Sequence, residues 1–368
     1  MPADAAVADW LRLTLIPGVG GASQRKLLAA FGLPAHVFAA GRPALAAVVG
    51  DKTADLLLGT DNRDAVAAAL DWAAAPGRRL LTLADDDYPR PLLDIPDPPT
   101  LLYVRGRVEL LARPALAVVG SRNATPQGEA NARAFAGALA AQGIVVVSGL
   151  ALGIDAAAHR GALAGGGATI AVVGTGADRL YPARNRALAE EIADKGAIVS
   201  EFPLGTPAAA ANFPRRNRLI AGLARGVLVV EAAVESGSLI TARLAGEQGR
   251  EVFAVPGSIH SPQARGCHRL IRQGAKLVET VDDILEELAL PAAAAPASAE
   301  PVAPADREAQ AVLDLAGFDP VGFDELLGRS GLTADALSVI LLRLELDGRV
   351  ASLPGGRYQR QAECAQRQ

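Results

Sequence analysis

Between residues 115 and 257 the chain repeats one pattern six times: a short run of β-branched and other apolar residues, a glycine- or serine-led loop, then an amphipathic stretch of helical length. The runs are "ALAVVG", "GIVVVSG", "ATIAVVG", "GAIVSE", "GVLVVEA" and "EVFAVPG". Strands that are apolar along their whole length, rather than on alternate residues, are buried on both faces. Alternation with helices makes them a parallel sheet covered on each side. The expectation is a doubly wound, Rossmann-like α/β domain over residues 79–288, with "AKLVET" adding a further short strand.

The flanks differ in character. Residues 1–78 are alanine-rich and helical in pattern, a small all-α domain. Within them "LIPGVGGASQRKLLAAFG" reads as a tight glycine hairpin between two helices. Such a hairpin either offers backbone N–H groups to a phosphate at a helix N-terminus or simply joins two packed helices. Proline-rich "DYPRPLLDIPDPPTLLYVRG" (87–106) reads as an extended lead-in to the sheet. Beyond it all, residues 289–304 are Ala/Pro low complexity, which cannot bury a core, and read as a linker. Residues 305–361 give three helices and a short hairpin, a winged-helix pattern. The third helix, the reading helix of DNA-binding examples, offers Asp335, Glu345 and Asp347 against Arg343. That balance suits a protein contact better than DNA.

Composition narrows the function. The formal charge is −4, and the basic residues are almost all arginine. Arginine abundance across the chain therefore carries no information about nucleic acid; only clustering does. No apolar run approaches the roughly 20 residues that span a bilayer, and "MPADAAVADW" has no basic n-region, so no signal peptide is expected. Cys267 and Cys364 lie far apart, and the four histidines are scattered. These features lead to the expectation of a cytoplasmic, disulfide-free protein without a metal or cofactor.

In an open parallel sheet ligands gather beyond the carboxyl ends of the strands. The loops there carry Gly120 and Ser121, Ser148 and Gly149, Gly174 and Gly176, and Ser236 and Gly237. Small residues at helix N-termini let backbone N–H groups approach an anion. A dinucleotide fingerprint and a P-loop are both missing from these turns. Arginines stand there instead: Arg122 in the first loop, Arg184 in the third, and Arg215, Arg216 and Arg218 in "NFPRRNRLIAGL", beside Phe213 and Asn217. Guanidinium forks pair with phosphate, and an aromatic face stacks on any base, so the set describes a single-strand groove. Plainer readings stand beside it. Arg218 fits a structural partner of Glu201 or Glu231, Phe213 fits a core plug, and His159 fits helix packing. Glu201 and Glu231 could form a general acid/base pair or serve as partners for the arginines.

Taken in order, "VGSR", "SGLALGIDAAAH", "GTGADRLYPARN", "SEFPLG", "FPRRNRLIAGL", "VVEAAVESGSLITARLA" and "VFAVPG" resemble the DNA-processing protein A (DprA/Smf) family. The resemblance covers the whole central domain. It implies a helical SAM-like or helix-hairpin-helix N-terminal domain, an extended Rossmann domain and a C-terminal winged helix. It also implies a non-enzymatic protein that binds single-stranded DNA and loads a RecA-type recombinase during natural transformation. Displacement of single-strand-binding protein and homodimers built through the Rossmann domain belong to the same picture. By this resemblance Arg122 contacts phosphate, Phe213 stacks on a base, and Arg216, Asn217 and Arg218 form the R-N-R segment. One departure is that "TPAAAANF" has no lysine ahead of the aromatic, a position Arg215 or Arg184 would have to serve.

Two rivals remain at this point. A phosphoribohydrolase-like nucleotide hydrolase would need a "PGGxGTxxE" loop, and the chain has "ESGSLITARLAGE". A sensor of a small phosphorylated ligand would bind mononucleotides and not oligonucleotides.

Overall fold

The computed structural model describes residues 3–289 and 307–361. The linker expected at 289–304 lies outside the described residues except for Ala289.

Six helices come first: α1 (Ala3–Thr14), α2 (Gly21–Phe31), α3 (Pro34–Ala39), α4 (Arg42–Val49), α5 (Asp51–Gly59) and α6 (Arg63–Ala73). The central domain follows as β1 (Arg78–Thr82), β2 (Leu101–Gly106), β3 (Ala115–Val119), α7 (Pro126–Ala141), β4 (Val145–Ser148), α8 (Ile154–Ala164), β5 (Thr169–Val172), α9 (Arg186–Lys195), β6 (Ala197–Ser200), α10 (Asn212–Leu223), β7 (Gly226–Val229), α11 (Gly237–Glu247), β8 (Glu251–Ala254), α12 (Arg265–Arg272), β9 (Lys276–Leu277) and α13 (Val281–Glu287). These strands form one sheet in the order β1-β2-β6-β5-β4-β3-β7-β8-β9. All six apolar runs are parallel strands of it, and "AKLVET" supplies β9.

The chain winds outward from β3 through β4 and β5 to β6, then crosses back on α10 to place β7 on the other side of β3. The order therefore reverses between β3 and β7, where adjacent loops diverge and leave a crevice. Side chains on the two faces fill separate cores. Val147, Val172, Val199 and Leu219 are in one, and Val118, Val146, Leu139 and Leu228 in the other. That division is why the strands carry no polar face.

The proline-rich stretch holds more structure than its composition suggests. β2 pairs antiparallel with β6, and β1 pairs antiparallel with β2, so two strands extend the sheet. Prolines 96, 98 and 99 stop just before β2, leaving its donors intact for the ladder. Trp10 and Trp72 pack with Leu80, Leu101 and Tyr103, so the N-terminal helices share a core with this edge.

The C-terminal unit is α14 (Arg307–Ala316), β10 (Val321–Gly322), α15 (Phe323–Ser330), α16 (Ala334–Leu346), β11 (Val350–Leu353) and β12 (Arg357–Arg360). Its three strands form their own antiparallel sheet in the order β10-β12-β11, and its apolar core is its own. This is the winged-helix arrangement read from the sequence. Among the described residues no helix is long and apolar enough to cross a membrane.

Candidate nucleic-acid interface

The crevice at the strand-order reversal opens into a cleft of ≈ 740 Å³. Its walls are the loop after β3, the loop after β7 and the first turns of α10 and α11, with Gly120, Ser121, Arg122, Phe213, Asn217, Ser236 and Gly237 among the lining residues. Arg122 is exposed, and its guanidinium carbon sits 5.3 Å from the centre of the Phe213 ring. Tyr181, half exposed at 50%, also lies against Phe213, with centroids 5.9 Å apart and planes inclined by 38°. Two aromatic faces and one guanidinium thus meet at a single mouth. At the opposite wall Ser236 caps α11 by accepting from Ser238 N–H, and Gly237 leaves the first turn uncovered. The remaining N–H groups of a helix N-terminus attract anions.

The arginine knot does not act as a unit. On a helix successive residues turn by about 100°, so residues three apart share a face. Phe213 and Arg216 face the cleft; Arg215 and Arg218 face a different groove, against the N-terminal helices. Arg216, expected at the DNA, is buried at 4% exposure. Its guanidinium donates to Gly149 O (2.7 Å) and to Val172 O, tying the ends of β4 and β5 together. Nearby, Asp155 accepts from Gly149 N–H (3.1 Å) and Ala151 N–H (3.4 Å). Burial pulls the Arg216 pKa down to about 10, partly offset by the Asp155 charge. Burial also raises the Asp155 carboxyl, against the pull of Arg216. Arg216 is therefore a structural pin under the cleft floor.

Arg218 is likewise structural. It is paired with Glu201 and, at 2.9 Å, with Asp97. Arg215 is exposed and lies over the Phe202 ring at 5.3 Å. Arg184 is exposed in the short turn just ahead of α9 and is not among the residues lining the cleft. Asn217 donates from Nδ2 to Gly237 O (3.4 Å), linking α10 to α11.

Several small residues also have another job. A Cβ on Gly149 would strike the Arg216 guanidinium, and one on Gly120 would meet Ile154 and Glu231 O. A Cβ on Gly176 would collide with Asp178 and Pro203 O. On Gly174 it would come within 3.0 Å of the Phe213 ring. The Ser148 hydroxyl is fully buried and donates to Val118 O (2.6 Å). These positions are small so that the protein can pack against itself; among them only Gly120 lines the cleft as well. Ser121 Oγ accepts from Asn123 N–H (3.2 Å) and shapes the loop that carries Arg122.

The candidate acid/base groups are tied up too. Glu231 accepts from Thr125 N–H (2.9 Å) and Thr125 Oγ1 (2.5 Å), pinning the start of α7, so its partner is a threonine and not an arginine. His159 is fully buried against Thr169 Oγ1 (2.7 Å), and burial lowers its pKa to about 3. Sequence reasoning missed Tyr181. Its signal was an aromatic in "GTGADRLYPARN", the loop following β5, next in the sheet to β4.

Comparison with known proteins places this geometry. A family profile described as "DNA recombination-mediator protein A" matches residues 79–289, and one described as "DprA winged helix domain" matches 295–356. The chain is 42% identical over 313 residues to Protein Smf of Escherichia coli K12, covering 82% of this chain and 83% of that one. It is 48% identical over 206 residues to DNA processing protein DprA of Streptococcus pneumoniae R6, covering 56% and 73%. The crystal structure of DprA from Streptococcus pneumoniae superposes with a TM-score of 0.67 at 38% identity, covering 76% of this chain and 95% of that one. A Helicobacter pylori DprA structure, described in terms of a unique single-stranded DNA binding mode, superposes with a TM-score of 0.52 at 31% identity, covering 57% and 96%. With the profile spanning more than half of its length and these relatives matched across most of theirs, the chain belongs to the DNA recombination-mediator protein A (DprA/Smf) family.

Proposed function

We propose that the protein is a single-stranded DNA-binding recombination mediator that loads a RecA-type recombinase onto incoming DNA, acting without catalysis. The observation that carries this reading is the cleft mouth, where exposed Arg122 and Tyr181 meet half-buried Phe213 opposite the N-terminus of α11. An aromatic platform takes any base, while a guanidinium and a helix N-terminus take successive phosphates. Such a site holds a strand without reading its sequence, as a mediator requires. The relative from Helicobacter pylori, described by its single-stranded DNA binding mode, supports the ligand class. Two features weigh against the hydrolase reading: Glu231 is held by Thr125, and Glu201 is paired with Arg218.

Homodimers would form at the β7–β9 end of the sheet, where Val234, Ile259 and Leu277 are exposed. The test of the mediator role is recombinase filament formation on a single strand precoated with single-strand-binding protein. The wild-type protein should speed filament formation, and the Arg122→Ala variant should lose that effect. Equal filament rates with and without the protein would exclude mediation while leaving DNA binding to be measured on its own.

A further inference from the structure

α10 separates two grooves, and residues lining the second one carry polar atoms that find no partner within the protein. It measures ≈ 590 Å³ and lies between the glycine hairpin of the N-terminal helices and the antiparallel edge of the sheet. Tyr103, Glu201 and Arg218 line it, together with Arg25, Arg215 and the first turn of α2. Among the described residues, Tyr103 Oη, Glu201 Oε1 and Arg218 Nη1 are buried side-chain atoms without a hydrogen-bond partner. The Glu201 side chain is 8% exposed and that of Arg218 12%. Buried polar atoms are nearly always paired, and three residues lining this one groove each carry an orphan, which calls for a ligand with both donors and acceptors.

The hairpin supplies the rest. α2 is preceded by Gly20, which contributes no side-chain cap, and its first turn contains no acidic residue. Ala22 is exposed there. Arg25 donates to Pro98 O (3.1 Å), which holds the hairpin against the sheet. Arg25, Arg215 and Arg218 face Glu201 and Asp97, leaving one positive charge in excess.

We propose that this groove is a nucleotide subsite, taking a phosphate on the N-terminus of α2 and Arg215 and a base N–H edge on Glu201 Oε1. Every common base offers an amino or imino donor, so the subsite is tolerant of sequence. Phe213 and Arg215 are two residues apart on opposite faces of α10, so a strand leaving the first cleft over the start of this helix enters the second. A free nucleotide has the same chemistry. The proposal rests on the reading of the first cleft only where the occupant is a continuing strand.

The test uses the full chain with labelled oligo-dT of about 5 and about 20 nucleotides, and dTMP as the free nucleotide. The variants are Ala22→Glu and Arg215→Ala, with Arg122→Ala as the control for the first cleft. A carboxylate at Ala22 suits the helix dipole, so the melting temperature holds or rises and lost binding cannot be unfolding. We expect both variants to weaken the longer strand roughly tenfold and to leave the shorter one unchanged. Loss of dTMP binding in both variants, with the longer strand unaffected, assigns the groove to free nucleotides. If neither variant changes either ligand, the subsite is refuted. Arg122→Ala binding both strands normally would refute the first cleft instead.

Discussion

Replacing Arg216 by methionine should unfold the protein more readily rather than merely weaken DNA binding. The side chain is buried, donates to two strand-end carbonyls, and its charge acts on the buried Asp155 carboxylate without a direct ion pair. Methionine fills much of the volume but leaves Asp155 without its counter-charge. Leaving a buried charge uncompensated costs up to about 3–5 kcal/mol, a figure that already includes much of the lost hydrogen bonding, so the two are not summed. For a domain of this size the midpoint of thermal unfolding should fall on the order of 10 °C. The pH dependence gives a second handle. Burial already holds the Asp155 carboxyl above its ordinary value, and removing Arg216 raises it further. A carboxyl raised in the folded state contributes stability that is fully present below its unfolded pKa and is lost as pH rises through its folded pKa. The deficit of Arg216→Met relative to wild type should therefore be largest near neutral pH and shrink as the solution is acidified. Asp155→Asn keeps an acceptor for the Gly149 and Ala151 N–H groups, so adding it to Arg216→Met should recover part of the loss. Urea unfolding of the four proteins at two pH values measures all of this. An Arg216→Met protein as stable as wild type, yet unable to bind DNA, would refute the argument and return Arg216 to the interface.

Other substitutions probe the cleft and the surfaces around it. Gly174→Val pushes a side chain into the Phe213 ring, which would lie only 3.0 Å from a Cβ at this position. Strand affinity should fall about three- to tenfold although no contacting atom is removed, and overpacking should cost about 1–3 kcal/mol in a melt. Ile259→Glu places a charge on a side chain that is 75% exposed, so sedimentation should show monomers while the thermal midpoint stays close to wild type. Removing residues 305–361 takes away a unit whose third helix is acidic, so single-strand affinity in anisotropy should stay within about twofold.

What could be read from residues alone was what depends on local pattern. Six uninterrupted apolar runs announce strands buried on two faces; five are buried throughout, and β8 is buried from Phe253 onward. β1 and β2 were harder to see, because "RRLLT" is short and "LLYVRG" directly follows a cluster of prolines. Their strand character comes from pairing with β6, a partner distant in sequence. The arginine knot was legible as a cluster but not in its directions. Helical spacing shows that Phe213 goes with Arg216 and Arg215 with Arg218. Which pair meets solvent depends on what packs against each face, and that is set by β4, β5 and the N-terminal hairpin. The glycines misled for a related reason: a small residue at a strand end signals close approach, whether the visitor is a phosphate or the protein's own Arg216 or Phe213.

If Arg122 and Phe213 form one working edge of a single-strand cleft, removing each should weaken binding in a different way. Fluorescence anisotropy of labelled oligo-dT across a salt series, for wild type, Arg122→Ala and Phe213→Ala, with a duplex of equal length, separates the two. The wild type should prefer the single strand. Arg122→Ala should reduce the slope of log affinity against log salt by about 0.7, one phosphate contact. Phe213→Ala should cost about 1–3 kcal/mol with the slope unchanged. Affinity and slope unaltered in both variants, or no binding of any oligonucleotide at low salt, would contradict the cleft.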